Sequence, residues 1–98
     1  MNLIIWKFKL EIVDIQEIFL PDGAELLSVA NQGESLCLWA IVDPSKEKRN
    51  RCIEIIKTGE LILMDATIYR KFIGTVVISP FVWHVFESGL IQEENRYT

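Results

Sequence analysis

The run LCLWAIV, Leu36 to Val42, is apolar at every position. Successive side chains of a strand point to opposite faces, so this run tolerates water on neither side. It predicts a central strand, or one covered by a second subunit, with Leu38 and Trp39 both interior. Asp43-Pro44 ends it. On its N-terminal side Leu26 to Ala30 mirrors it across Asn31-Gln32-Gly33-Glu34, and a two-residue loop at Gln32-Gly33 makes a hairpin of the two. Leu27 then faces Leu38 and Val29 faces Leu36 on one side of the sheet, with Leu26 opposite Trp39 and Ser28 opposite Cys37 on the other.

Outward from this pair the chain alternates strands with turns. Trp6, Phe8, Leu10 and Ile12 alternate with Lys7, Lys9 and Glu11, a period of two that buries one face and wets the other. Ile15 to Leu20 has a mixed pattern, with Glu17 between Ile15 and Phe19, which suits a bulge or an edge. Pro21-Asp22-Gly23 is a turn in which proline presets φ, aspartate bonds the local backbone and glycine accepts positive φ. Past the charged link SKEKRN, Arg51 to Lys57 reads as a strand on Ile53, Ile55 and Ile56, stopped by Thr58-Gly59. Residues 60–68, ELILMDATI, fit a short helix or irregular cover. Tyr69 to Ile78 and Phe81 to Phe86 are rich in β-branched and aromatic residues and flank Ser79-Pro80, where a tight turn requires a cis proline. About seven strands without a long helix predict an all-β fold, a compact antiparallel β-sandwich or small barrel. A chain of 98 residues closes one core, so residues 1–90 read as a single β domain and 91–98 as a polar C-terminal tail.

Half the residues are apolar and 24% are charged, a globular balance. Lys7 and Lys9 interrupt the N-terminal run from Leu3 to Trp6, which reads as a strand and not as a signal peptide, and no apolar stretch is long enough for a membrane helix. The net charge of −4 is unevenly spread. Residues 1–43 carry two basic and seven acidic side chains, residues 44–71 seven and four, and residues 72–98 one and three. An acidic chain is a poor general binder of nucleic acid, because phosphate affinity scales with the cations brought to the backbone. The middle third can still bind a small anion. Cys37 and Cys52 lie in no C-x-x-C motif and read as two reduced thiols. If their strands pair around the 43–51 connection, Cys52 faces Val42, beyond bridging reach of Cys37.

The candidate ligand site gathers Lys48, Arg49, Arg51, Tyr69, Arg70 and His84, cations beside aromatic and imidazole rings that together suit a nucleotide-type anion. Each has a plainer reading. Exposed lysine and arginine commonly serve solubility, and His84, in phase with Val82 and Phe86, reads as a structural histidine with one satisfied nitrogen. One histidine without a nucleophile motif, no phosphate loop and no ligand-spaced cysteines or histidines predict no catalytic residues, no metal and no cofactor.

The motifs LPDGAELLSVANQ (20–32), LCLWAIVDP (36–44), Thr58-Gly59, IGTV (73–76) and VWHVFE (82–87) resemble a family of small uncharacterised proteins of tailed bacteriophages and their prophages. The resemblance spans Trp6 to Glu87. It implies a phage protein in the cytoplasm of the infected bacterial host. Relatives often place a histidine after the Thr-Gly pair, where this chain has Glu60, so a histidine-pair site is not expected.

These readings converge on a non-enzymatic phage accessory protein. Its most concrete form is a host-defence antagonist that binds a nucleotide-type signal or a host defence protein; the alternative is a phage structural or assembly component. Leu36 to Val42, Val76 to Ile78 and Phe81 to Phe86 ask for more interior than one two-layer domain provides, which predicts a homo-oligomer, a dimer or higher.

Overall fold

The computed structural model describes residues 2–62 and 65–90. Seven strands run in the order β1 (Ile4–Leu10), β2 (Ile15–Pro21), β3 (Glu25–Gln32), β4 (Ser35–Val42), β5 (Lys48–Lys57), β6 (Ile68–Ile78) and β7 (Phe81–Leu90). They form two antiparallel sheets, one of three strands ordered β1-β4-β3 and one of four ordered β2-β5-β7-β6, packed face to face. The fold is all-β, an antiparallel sandwich. No helix among the described residues is long and apolar enough to cross a membrane.

The apolar run of β4 takes the central place in its sheet, with β1 and β3 on either side. Leu36, Leu38, Ala40 and Val42 point inward and are buried. Phe8 and Leu10 of β1 join Leu36 and Leu38 against Ile53, Ile55, Val76 and Val85 of the other sheet. Each such side chain contributes about 1.5–3 kcal/mol by leaving water. A second cluster, Leu20, Ala24, Ala40 and Val42, fills the other end beneath Trp6.

The hairpin register differs from the sequence reading. Gln32 pairs with Ser35, so the loop is Gly33-Glu34, and Gly33 supplies positive φ at the first central position, as a type II′ turn requires. Val29 therefore faces Leu38, and Ala30 faces Cys37. A bulge between Leu26 and Ser28 then resets the alternation. Leu26 and Val29 both pack on the core, while Leu27 and Ser28 are both exposed. Trp39 is likewise not interior as expected. It lies on the outward side of β4, half-buried.

The strands bearing Cys37 and Cys52 do not pair, because β4 and β5 belong to different sheets. Both cysteines are free, as expected on the other ground. Ile15–Pro21 is an edge strand, and the Ser79–Pro80 peptide is cis within a tight β6–β7 turn that pairs Ile78 with Phe81. The short helix has no counterpart among residues 60–62 and 65–67, which form turns and irregular chain before β6 begins at Ile68; residues 63 and 64 lie outside the described residues. So does the tail, 91–98.

Candidate functional site

The six residues singled out by the sequence fall in separate places. Lys48 and Arg49 open β5, both exposed. Arg49 lies 3.4 Å from Glu47 and 3.9 Å from Asp22, loose surface pairs that leave its charge largely in water. The Lys48 ammonium sits 6.0 Å from the centroid of the Trp6 ring. Tyr69 is exposed on β6, an edge strand.

Arg51 points between the sheets. Its guanidinium donates through Nε and Nη2 to the two carboxylate oxygens of Glu87 on β7, and through Nη1 to the Ala24 carbonyl, 2.9 Å away at the entry to β3. The hydrogen bonds to Glu87 hold the guanidinium above its ordinary pKa. The fork to Glu87 joins β5 to β7 within one sheet, the bond to Ala24 reaches the chain entering the other, and together they occupy the donors that an anion would need. Arg70 is similarly engaged: its Nε donates to Glu54 Oε1 at 2.7 Å and its Nη2 to Glu54 Oε2 at 3.3 Å. His84 is also engaged. Its Nε2 lies 2.7 Å from Thr58 Oγ1 and its Nδ1 3.0 Å from Thr75 Oγ1, so both ring nitrogens have partners where the sequence suggested one. These positions form no single anion pocket, and among the described residues no group of histidine, cysteine and carboxylate side chains is placed to hold a metal.

What the fold does assemble is two outward faces. On the three-stranded sheet Trp39 stands at the centre, directly opposite Lys7 of β1 and Ser28 of β3. Ile5 pairs with Ile41 one step along, and Lys9 with Cys37 one step the other way. Lys7 Nζ reaches over β4 to Gln32 Oε1 of β3, at 2.9 Å. Leu27, turned outward by the bulge, adds to the apolar part of this face. Sequence alternation missed the patch because it gave Trp39 to the core. The lysines at positions 7 and 9, opposite an apolar strand, were its only visible trace.

On the four-stranded sheet one cross-strand row runs Ile15, Glu54, Phe86, Phe72 from edge to edge. The Phe72 and Phe86 rings meet edge to face with centroids 5.5 Å apart. The next polar groups on this face are Arg70, bonded to Glu54, and His84, bonded to its two threonines. A groove of about 260 Å³ opens beside this row, lined by Ile15, Glu54, Ile56, Ile62, Ile68 and Arg70.

A family model described as Domain of unknown function (DUF7352) matches residues 1–96, and the chain belongs to that family. No curated protein and no solved structure matches the chain.

Proposed function

For this member of the DUF7352 family we propose a function in binding and not in catalysis: an accessory protein, acting in an infected bacterium, that covers a host protein with the outward face of its three-stranded sheet. The infected-cell setting rests on the resemblance to phage proteins. The observation that supports the binding reading is Trp39, a large ring on an open sheet face with Lys7 opposite it and Ile5, Ile41 and Leu27 nearby. Tryptophan surrounded by aliphatic contacts is typical of the residues that dominate protein interfaces, and the lysines steer an acidic partner.

A host protein is favoured over a nucleotide-type signal on shape. Small ligands are usually enclosed over about 70–90% of their surface, whereas this face is an open sheet, and the arginines that a phosphate would engage are bonded to Glu87 and Glu54.

The test compares proteins that co-purify at stoichiometric level from infected cells with the wild type, with Trp39→Ser and with Lys7→Glu. A partner lost in both variants, each still folded by circular dichroism, supports the reading. A nucleotide retained in native mass spectrometry and lost on Lys48→Glu would return the proposal to the small-ligand form. Recovery of the chain in purified virions would favour the structural or assembly role.

A further inference from the structure

Four strands lie at sheet edges, and three of them are guarded. β1 carries Lys7 and Lys9, while β3 and β6 are each interrupted by a bulge and lie against one another where Val29 meets Gly74. Charge, bulges and cover are the usual protections against an added strand. β2 has little of them. It keeps a regular register with β5 from Ile15 to Pro21, its proline comes only at the end, and no strand lies beyond it among the described residues.

The phase of its backbone follows from two bonds at its ends. The Ile55 amide donates to the Asp14 carbonyl at 3.0 Å, and the Asp22 amide to the Glu47 carbonyl at 2.7 Å. Both contacts keep the β2–β5 register, and in an antiparallel pair the bonded positions come at every second residue. Gln16, Ile18 and Leu20 therefore turn their amides and carbonyls to β5. Ile15, Glu17 and Phe19 turn theirs away from the sheet, a row of three donors and three acceptors along the edge. The side chains of the same residues are exposed, Ile15 at 61%, Phe19 at 59% and Glu17 between them. Among the described residues no cation pairs with Glu17, and the segment from Glu11 to Leu20 holds Glu11, Asp14 and Glu17 without a basic residue.

We propose that this edge receives an extended segment of a partner protein as an added antiparallel strand, with a lysine or arginine opposite Glu17 and apolar side chains opposite Ile15 and Phe19. Backbone bonds to the edge supply affinity in such a complex, and alternate side chains supply specificity. Charge selects the occupant. A second copy of β2 fits poorly, because full overlap about a two-fold axis sets Glu17 against its own copy, and like charges directly opposite repel. A cation at that place gains an ion pair on an otherwise acidic edge, while the apolar residues on either side of it cover Ile15 and Phe19. The contact is separate from the Trp39 face, which belongs to the other sheet.

Panning a displayed library of random linear peptides against the full chain tests the proposal. The expected enrichment is a lysine or arginine with an apolar residue two places to either side. Against Glu17→Lys, an exposed change that the fold should accept, the enriched centre should become aspartate or glutamate. The selected basic peptide, once synthesised, should protect the Ile15, Glu17 and Phe19 amides from hydrogen exchange read by NMR, and N-methylation of its central residue should weaken binding by about tenfold or more. Trp39→Ser should leave the same peptides enriched, so this contact and the Trp39 reading fail independently. No enrichment, a pattern that ignores the charge at position 17, or protection absent from those amides would overturn the inference. So would a wild-type chain that self-associates and becomes monomeric in Glu17→Lys.

Discussion

Replacing Arg51 with alanine removes two hydrogen bonds within the four-stranded sheet and one that reaches across to the chain entering the other sheet. Two go to Glu87 and one to the Ala24 carbonyl, and the Arg51 and Glu87 side chains are 23% and 21% exposed. A hydrogen bond to a charged group contributes about 1.5–3 kcal/mol, and breaking a fully buried pair costs about 3–5 kcal/mol because one charge is left behind. Residual solvent access lets water reach the stranded carboxylate, which places the loss for Arg51→Ala at about 2–3 kcal/mol. With a urea slope of about 1–1.5 kcal/mol/M for a domain this small, the unfolding midpoint should fall by roughly 2 M. Glu87→Gln in the Arg51→Ala background should restore part of the loss, because the amide replaces an unpaired charge with a neutral group; the coupling in that double-mutant cycle measures the pair itself. Arg49→Glu, by contrast, touches only loose surface pairs and should move the midpoint by less than about 0.5 M. If Arg51→Ala unfolds where the wild type does, the guanidinium is not a structural tie, and its role as an anion ligand is open again.

Gly74 sits where β6 meets β3, and a Cβ built there would lie 2.8 Å from Val29 Cγ2, a branched side chain with no free end to yield. Gly74→Ala should therefore destabilise by about 1–3 kcal/mol, measured by the same urea titration, and a neutral result would show that β3 can move off β6. Trp39→Ala should cost about 1–2 kcal/mol instead of the 3–5 typical of a fully packed aromatic, since the ring is half-buried on an outward face; a larger melting-point loss would place the ring in a packed environment. Deleting Leu27 removes the bulge yet leaves Leu26 and Val29 in phase, so it should cost less than Leu26→Ala, which empties a place against both core clusters; the reverse order would contradict the register. The Asp43 carboxylate accepts from the Ser45 hydroxyl at 2.7 Å and the Ser45 amide at 3.0 Å, bonds that hold its pKa below the ordinary carboxylate value. Its contribution is present above the unfolded-state pKa and lost as pH falls through the lower folded one. Carboxyl NMR titration should show a depressed Asp43 midpoint that rises in Ser45→Ala, while Asp65, held low by Thr67, does not move.

Strand existence was legible because it rests on short-range pattern. The alternation from Trp6 to Leu10, the unbroken apolar run at Leu36 and the proline and glycine stops each act over a few residues, and each marks a strand or turn in the structure. Register was not legible, because it depends on which residue of a loop takes positive φ and on where an extra residue is accommodated. Placing the loop at Gly33-Glu34 shifted the hairpin pairing by two, and the bulge then exchanged the faces of Leu26 and Leu27. Two adjacent leucines carry no local signal for which of them will be extruded. The choice is made by the core, which receives Leu26 and Val29 and leaves Leu27 to solvent. Sheet membership lay out of reach for a similar reason, since the Asp43–Glu47 link allows a hairpin or a crossing between layers, and only packing selects the crossing.

The candidate site shows the same limit in electrostatic form. A count along the chain finds seven cations between residues 44 and 71, and in sequence Arg51 and Arg70 look as available as Arg49. Their partners, Glu87 and Glu54, are 36 and 16 residues away and become neighbours only when β7 joins β5 and β6. Arg51 occupies a strand position whose neighbour two residues on is the buried Ile53, and a charge facing that side must find a counter-charge or lose solvation it does not recover. An arginine in phase with buried isoleucines is therefore better read as half of an internal pair than as part of a basic patch. The same phase argument applied to the outward residues leads the other way: Lys7 and Lys9, out of phase with Phe8 and Leu10, keep their charge in water, and the ring they flank is the one that the run LCLWAIV places outside its own core.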